Sequence, residues 1–313
     1  MGYWGVHKAD ARALIDGWIA SQGERKLVVL DGGAAGGLSE PFDRISDVVT
    51  AVRFEPRGQG VLESVPNEIV IDGALWSQDD VQYLNIAERA STSSMYRPNF
   101  DLLARYDDYY GLPPRTAVST KRVTCRSVDS CVAGGEMPAP DAIKLDIHGS
   151  ELPALMGAEQ SIARTSMLIV ETWNAEVHLG QGLHHEVESW AFDHGFELFD
   201  YKIAAAWRHK HTGEICKSDK PQVMGTEALF IRTNRDISQD LVASSAFFLG
   251  LFGYLNAALE ALEVRQSPLT PDLEALHEAL LSVQVSRTKR NNALPRRLAQ
   301  RVRPLASRLL TYR

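Results

Sequence analysis

Apolar residues near the start of the chain recur at helical spacing. Between residues 7 and 21 they fall at Ala11, Leu14, Ile15, Trp18 and Ile19, positions that share one face of an α-helix. The segment is therefore predicted to be a helix.

From residue 26 to about residue 233, short apolar runs alternate with helical segments. The runs predicted as strands are KLVVLDGG, DVVTAVRFEP, NEIVIDGAL, the stretch ending at residue 145, TSMLIVETWN, FELFDY and EALFIRT. Residues 150–163 and HHEVESWAFDHG have helical periodicity. VQYLNI and TKRVTCRSV are predicted as hairpin-like strands on either side of a loop around STSSMYRPN. Strands that alternate with helices predict an open parallel or mixed sheet, with a ligand at the carboxyl ends of its strands.

The pattern changes after about Asn234. Leu241 to Leu259 is uncharged over 19 residues but contains two Ser, two Gly and an Asn. A buried or oligomer-forming helix is the favoured interpretation, and a membrane-spanning helix is the alternative. PDLEALHEALLSV predicts an amphipathic helix that starts at Pro271. Apolar residues continue at helical spacing through the tail, where Pro304 is expected to interrupt the helix.

Composition narrows the class of protein. The chain of 313 residues is 44% hydrophobic and 23% charged, which is ordinary for a globular enzyme. Its three cysteines form no C-x-x-C pair, a pattern that disfavours a disulfide framework or a zinc ribbon and favours a reducing, cytoplasmic compartment. The opening residues, MGYWGVHKAD, lack the apolar segment of a secretory signal.

Charge is unevenly distributed along the chain. Residues 287–313 contain nine Lys or Arg and no acid, although the whole chain has a net charge of −7. A basic tail on an acidic body predicts an anionic partner, and the expected one is the inner face of a membrane, to which the protein would be peripheral. A solvated tail, or one that packs on another subunit of a homo-oligomer, is the alternative. Nucleic acid is not expected, because the basic residues have no interleaved aromatics.

The glycine-rich turn after the first predicted strand is a candidate ligand site. Glycines in LDGGAAGG let the backbone approach a ligand, although such turns are also common without one. Glu55 lies 24 residues after Asp31, at the end of the neighbouring strand, where a carboxylate can accept both hydroxyls of a ribose. The chain has neither a G-x-G-x-x-G nor a G-K-[ST] motif here, which disfavours a nicotinamide cofactor and removes the P-loop interpretation.

Five short motifs occur in a characteristic order: VVLDGGAAGG, VRFEP, IKLDIHGSELPALMGAE, LIVETW and HGFELFDY. Their order and spacing resemble those of the FkbM-type S-adenosylmethionine-dependent methyltransferases over residues 26–203, with a final strand to about 233. The resemblance implies an α/β fold of the class I methyltransferase type, with a Rossmann-like seven-stranded sheet. The predicted organisation is an N-terminal helix at 1–25, a methyltransferase domain at 26–235 and a helical extension with the basic tail at 236–313.

The resemblance also implies how S-adenosylmethionine, the expected cofactor, is held. The residues at cofactor-binding positions of the family are Asp31, Gly33, Ala34, Gly37, Glu55, Ala74, Leu75 and Asp146. The first four belong to the loop around the methionine part, Glu55 to the ribose, and Ala74 and Leu75 to the adenine. Ala35 departs from the asparagine that the family commonly has, so one polar contact is in doubt.

The segment KLDIHGSE contains candidate catalytic residues. By the resemblance, Asp146 faces the amino end and the methyl group of the cofactor. His148 is the candidate base, because an imidazole with its usual pKa of about 6.5 suits removal of a hydroxyl proton; a packing or solvent-facing role is the alternative. Glu151 matches the family's G-x-E motif and is a candidate substrate contact, or else a first-turn acid favoured by the helix dipole.

Glu171 ends the next predicted strand and is expected beside Asp146. Two carboxylates at adjacent strand tips suit a base with a raised pKa or a divalent metal, with Asn174 as a further ligand. A metal is possible but is not the expected cofactor. Trp173 and His185 are further candidates for substrate contact, with a surface role as the alternative for His185.

These residues together predict methyl transfer to oxygen. A sulfonium methyl group needs an aligned nucleophile and removal of its proton, so a base favours a hydroxyl acceptor. The resemblance implies a sugar, glycolipid or natural product as acceptor, and the basic tail adds a lipid-linked glycan. The alternatives are a catalytically weak scaffold that binds partners through its C-terminal helices, a metal-assisted O-methyltransferase, and a nucleotide-sugar or dinucleotide enzyme.

Overall fold

The computed structural model describes residues 8–33, 38–54, 56, 67–106, 111–232, 239–265 and 269–309. The chain forms two compact units. Residues Lys26–Ser245 form one, called the α/β unit below, and the residues up to Arg25 together with those from Ala246 onward form the other, the helical unit. The N-terminal helix and the C-terminal extension therefore belong to the same unit.

A seven-stranded sheet is the centre of the α/β unit. Its strands are β1 (Leu27–Gly32), β2 (Val49–Phe54), β3 (Glu68–Ile71), β4 (Ala142–Leu145), β5 (Met167–Trp173), β6 (Phe196–Trp207) and β7 (Gln222–Arg232). Their spatial order is β3-β2-β1-β4-β5-β7-β6. The strands from β3 to β5 are parallel, whereas β7 is antiparallel to both of its neighbours. The order reverses between β1 and β4, where an α/β sheet opens a ligand crevice.

Buried apolar runs explain why these segments form the sheet. Every residue of β1 and β4 is buried, as expected for parallel strands that are covered on both faces. The main core of the unit joins strand residues such as Leu30, Val52 and Ile143 to helix residues such as Leu155 and Val187. Six of the seven predicted strands are confirmed, and β6 and β7 extend beyond the predicted FELFDY and EALFIRT; the seventh, NEIVIDGAL, forms β3 only in part.

The α-helices that lie wholly within the α/β unit are shorter than those of the helical unit. The α-helices are α1 (Lys8–Gln22), α2 (Phe100–Leu103), α3 (Leu112–Arg115), α4 (Val128–Ala133), α5 (Glu151–Met156), α6 (His184–Asp193), α7 (Gln239–Phe252), α8 (Leu255–Arg265) and α9 (Pro271–Leu309). Short 3₁₀ helices span Phe42–Val48, Ala90–Thr92 and Ser161–Arg164. The predicted helix at 150–163 is wrong in its extent, since α5 ends at Met156 and a 3₁₀ helix at Ser161–Arg164 follows it after a turn.

A second, three-stranded sheet lies beside the first. It contains Ala74–Leu75, Asp80–Ala87 and Ala117–Arg126, and the two longer strands pair antiparallel as predicted. The predicted single strand NEIVIDGAL is divided between the two sheets. Gly73, with φ 152°, turns the chain after β3, and Ala74–Leu75 then pairs with the end of Ala117–Arg126. A two-stranded hairpin is formed by Lys210–His211 and Glu214–Ile215.

The uncharged stretch from Leu241 to Leu259 is not one helix. Gly253, with φ 95°, separates α7 from α8. Among the helices of the described ranges, none combines the length and the apolar character that crossing a bilayer requires. The expected interruption at Pro304 is also wrong, since α9 continues to Leu309; a proline removes one helical hydrogen bond but has a φ close to the helical value.

The helical unit is held together by close contacts of α1 with α9. Gly17 packs so tightly that an added Cβ would lie 2.5 Å from the Cβ of Ala279. Asp10, which is 3% exposed, accepts hydrogen bonds from Arg287 Nε at 2.8 Å and Arg290 Nη2 at 2.6 Å. A buried carboxylate is tolerated here because two guanidinium groups neutralise it.

Candidate active site

The end of β1 brings an acid and two glycines to the crevice. Asp31 is fully buried, and its Oδ2 accepts a hydrogen bond of 2.7 Å from the hydroxyl of Ser39. Its Oδ1 lies 3.7 Å from Lys144 Nζ. Burial raises the pKa of Asp31, and the Lys144 charge partly opposes this effect. Gly33 has φ 98°, and a side chain there would overlap the Asp146 carbonyl, so only glycine fits.

A cavity of about 470 Å³ opens at this end of the sheet. The ends of strands line one side of the cavity, and the segment around the 3₁₀ helix Ala90–Thr92 lines another side. Its lining residues are Gly32, Gly33, Phe54, Pro56, Ala74, Leu75, Leu84, Arg89, Ala90, Ser91, Thr92, Ser93, Met95, Asp146, Ile147, His148, Ser150, Glu171 and Ala204. The volume lies within the range of small-molecule and cofactor pockets.

Three chemically active side chains meet at one end of this cavity. A carboxylate oxygen of Asp146, a ring nitrogen of His148 and a carboxylate oxygen of Glu171 all lie within 4.8 Å of one another. His148 Nδ1 is 3.3 Å from Glu171 Oε2, and both side chains are largely buried. The Asp146 side chain, by contrast, is 49% exposed. We call these three residues the Asp–His–Glu cluster.

The backbone that carries His148 is held by two other side chains. His148 has φ 51°, a conformation that few residues other than glycine adopt. The Ser94 hydroxyl donates a hydrogen bond of 2.6 Å to the His148 carbonyl. The buried Glu151 carboxylate accepts hydrogen bonds of 2.8 Å from the N–H groups of Ile147 and Gly149. Glu151 therefore positions the strand tip, and it is not among the residues that line the cavity.

Mutual repulsion of acids and burial together shape the electrostatics of the cluster. Burial and then the Glu171 charge raise the pKa of Asp146. Burial alone would lower the pKa of His148, but the neighbouring Glu171 and Asp146 charges raise it to about 9. Lys144 Nζ lies 3.9 Å from Asp146 Oδ2 and also balances these acids. The cluster can therefore hold and exchange a proton at the cavity wall.

The structure places several predicted cofactor residues at the same cavity. Gly33, Ala74, Leu75 and Asp146 line the cavity. Asp31 is buried, and Lys144 lies 3.7 Å from it and 3.9 Å from Asp146. Three predicted cofactor positions, Ala34, Gly37 and Glu55, are outside the described residues, as is Ala35, the departure from the family pattern.

Other predicted residues lie away from the cavity lining. Trp173 is buried against Trp207, with ring centroids 5.8 Å apart, and the guanidinium of Arg115 lies over both rings. His185 is exposed on α6, and Asn174 is exposed with its amide near the Val223 carbonyl. The lining of this cavity therefore does not support Trp173, His185 or Glu151 as substrate contacts. Trp173 is packed against other side chains, Glu151 binds backbone N–H groups, and His185 faces outward.

Some residues of the site were not singled out from the sequence. Lys144 had a visible signal, since a lysine within the apolar run AIKL must find a partner when the strand is buried. The segment from Arg89 to Met95 gave no such signal, because only the folded chain places it at the cavity wall.

The strand order, the antiparallel β7 and a crevice at the carboxyl ends of β1 and β4 define a class I methyltransferase fold, as the resemblance implied. The family model of the methyltransferase FkbM domain matches residues 62–198. This segment therefore belongs to the FkbM methyltransferase family, and the family predicted from the motifs is confirmed. β1 and β2 precede the matched segment.

Among solved structures, the methyltransferase FkbM from Methylobacillus flagellatus is 14% identical, with a TM-score of 0.34, over 66% of this chain and 44% of that one. This chain thus spans less than half of that protein. The magnesium protoporphyrin IX methyltransferase of Synechocystis, solved with bound SAM, is 10% identical, with a TM-score of 0.32, over 72% of this chain and 80% of that one. No curated protein matches the sequence significantly. The fold assignment rests on the strand order and the family match.

Proposed function

We propose that this methyltransferase uses S-adenosylmethionine to methylate a hydroxyl of a sugar, glycolipid or natural-product acceptor. The observation that carries the proposal is the Asp–His–Glu cluster, which stands at the wall of the cavity at the ends of β4 and β5. Methyl transfer to a hydroxyl requires a group that receives the hydroxyl proton, and a carboxylate acceptor would not need one.

The residues present fit the cofactor. Gly33 packs against the Asp146 carbonyl more closely than any side chain would allow, so the backbone itself forms this part of the cavity lining. Phe54, Ala74 and Leu75 supply an apolar lining suited to adenine, and the Asp146 carboxylate suits an amino group. When bound, S-adenosylmethionine supplies a methyl group on a sulfonium sulfur.

The chain's own residues have the remaining tasks. Asp146 and Glu171 orient the acceptor hydroxyl and take up its proton. His148, whose raised pKa of about 9 keeps it charged near neutral pH, pairs with Glu171 and holds it in place. Glu151 and Ser94 hold the turn that carries His148, and Lys144 limits the repulsion between Asp31 and Asp146. The acceptor class includes a lipid-linked glycan, because the sequence predicts that the basic tail contacts a membrane. That contact, like a homo-oligomer, stays a prediction of the sequence.

The test has two stages. Calorimetry with S-adenosylmethionine measures binding to the full chain, and incubation with a panel of sugars, glycolipids and polyketides then follows S-adenosylhomocysteine release and the mass of the acceptor. We expect binding and the addition of one methyl group to oxygen on at least one acceptor. Binding without product on the whole panel would favour the scaffold alternative, and methylation of a carboxylate or a carbon would contradict the hydroxyl assignment.

A further inference from the structure

The Asp–His–Glu cluster has the composition of a metal-binding site. It offers two carboxylate oxygens and one imidazole nitrogen within 4.8 Å of one another. Ligands of a single cation lie at most about 4.2 Å apart, twice a typical metal–ligand distance of about 2.1 Å. Small side-chain rotations would therefore bring all three donor atoms into the coordination sphere of one ion.

Two of these donor atoms lack a hydrogen-bond partner. His148 Nδ1 and Glu171 Oε2 are buried and face each other at 3.3 Å, but neither forms a hydrogen bond within the described part of the chain. They contact each other as an ion pair, and their separation of 3.3 Å lies within the limit of about 4.2 Å for two ligands of one cation. A divalent ion beside Asp146 would give both atoms the strong partner that buried polar atoms nearly always have.

The surroundings hold the donors in place. Ser94 and Glu151 bind the backbone on both sides of His148, so the imidazole is fixed by its main chain as well as by its neighbours. Groups that orient ligands in this way strengthen metal sites. The third donor, Asp146, is half exposed, and all three residues line the cavity, which leaves a path for an ion to enter.

We propose that Asp146, His148 and Glu171 bind one divalent cation. Carboxylates suit Mg²⁺, Ca²⁺ and Mn²⁺, whereas imidazole suits transition metals, so Mn²⁺ matches this mixed set best. All three residues line the cavity, so positions that the protein leaves free on the ion would open towards it. In the context of the proposed O-methylation, on which this use of the ion rests, the acceptor hydroxyl would bind there and pass its proton to the carboxylate oxygen of Asp146 that does not bind the ion.

Binding is measured on full-length protein treated with EDTA and without S-adenosylmethionine. Titration with MnCl₂ in a calorimeter is expected to show one Mn²⁺ per chain. Glu171→Gln and His148→Asn are expected to weaken binding by at least the roughly tenfold to hundredfold that loss of an outer-sphere partner causes. Asparagine is chosen because it tolerates the positive φ of this position. His277→Asn and Glu263→Gln, from another His–Glu pair at 2.9 Å, are the matched controls.

A spectroscopic readout identifies the ligand directly. Pulsed electron paramagnetic resonance of the Mn²⁺ complex is expected to show coupling to an imidazole nitrogen that His148→Asn removes. Absence of binding to the unsubstituted chain, or binding that both cluster variants leave unchanged, overturns the proposal. If the chain binds no Mn²⁺ but still methylates a hydroxyl in EDTA, the metal site is refuted and the proposed function stands. If the chain binds Mn²⁺ but methylates no hydroxyl, the proposed function is refuted and the metal site stands.

Discussion

His148 and Glu171 come from the ends of adjacent parallel strands, and their side chains meet at 3.3 Å at the cavity wall. The chain brings an imidazole and a carboxylate together here although 23 positions separate them in sequence. Asp146 belongs to the same cluster. The contact between His148 and Glu171 therefore places both acids predicted at adjacent strand tips, Asp146 and Glu171, in one site with the imidazole.

Substitution within this pair should reduce turnover and leave cofactor binding in place. For Glu171→Gln we expect a decrease in kcat of about 10²–10⁴-fold, the usual contribution of a positioned proton-transfer group. The affinity for S-adenosylmethionine, measured by calorimetry, should change little. Full turnover in both Glu171→Gln and His148→Asn would contradict the role of the pair.

Gly33→Ala should abolish cofactor binding, because the new Cβ would overlap the Asp146 carbonyl and the backbone would have to move. Gly213→Ala is the matched control, since Gly213 also has a positive φ of 83° but nothing lies within 4 Å of an added Cβ. The control should lose only about 1–2 kcal/mol of stability and retain binding. Equal losses in the two variants would mean that backbone strain alone explains the effect.

Glu151→Gln should destabilise the fold and slow the reaction. An amide has one acceptor oxygen, so one of the N–H groups of Ile147 and Gly149 would lose its partner. We expect a loss of about 1–3 kcal/mol in the free energy of unfolding, measured with urea. Glu159→Gln is the control, because Glu159 is an exposed partner of His194 and should change stability by less than about 1 kcal/mol.

His178 should make the fold sensitive to acid. It is fully buried, and burial, followed by the charges of His148 and Arg115, lowers its pKa to about 3. The unfolded chain takes up this proton below a pH of about 6.5, whereas the folded chain does not. Stability is therefore lost as the pH falls from about 6.5 towards 3.

The acid effect can be isolated by substitution. Between pH 7.5 and pH 5, His178 should account for a loss of about 2 kcal/mol in the free energy of unfolding. His178→Asn lowers stability at both pH values but should remove this pH-dependent part, whereas the control His277→Asn should keep it. An unchanged pH dependence in His178→Asn would show that another group causes the acid sensitivity.

Asp10→Asn should weaken the helical unit. The change removes the charge that binds Arg287 and Arg290 and leaves two guanidinium groups without their carboxylate. We expect a loss of about 1–3 kcal/mol, seen as a lower urea midpoint of the full chain. Asp16→Asn breaks an exposed pair with Arg12 and should have almost no effect; a similar loss in both variants would contradict the importance of burial.

The sequence by itself determined the strands of the α/β unit, its family and the segments that carry the candidate site. These features are local, since an apolar run such as Leu27–Leu30 or the motif KLDIHGSE can be recognised without knowing its neighbours in space. The same local patterns could not show that NEIVIDGAL divides between two sheets, because Ala74 and Leu75 pair with Cys125 and Arg126, far away in sequence. They also did not show that the helix after Ser150 ends at Met156.

Only the tertiary structure decided which of the candidate residues meet. It placed Glu171 and His148 together and put Trp173 beneath Arg115, away from the cavity lining. It also brought Lys144 between Asp31 and Asp146. These outcomes depend on strand order and on the direction of each side chain, which arise from contacts between distant parts of the chain and leave no periodic signal in the sequence.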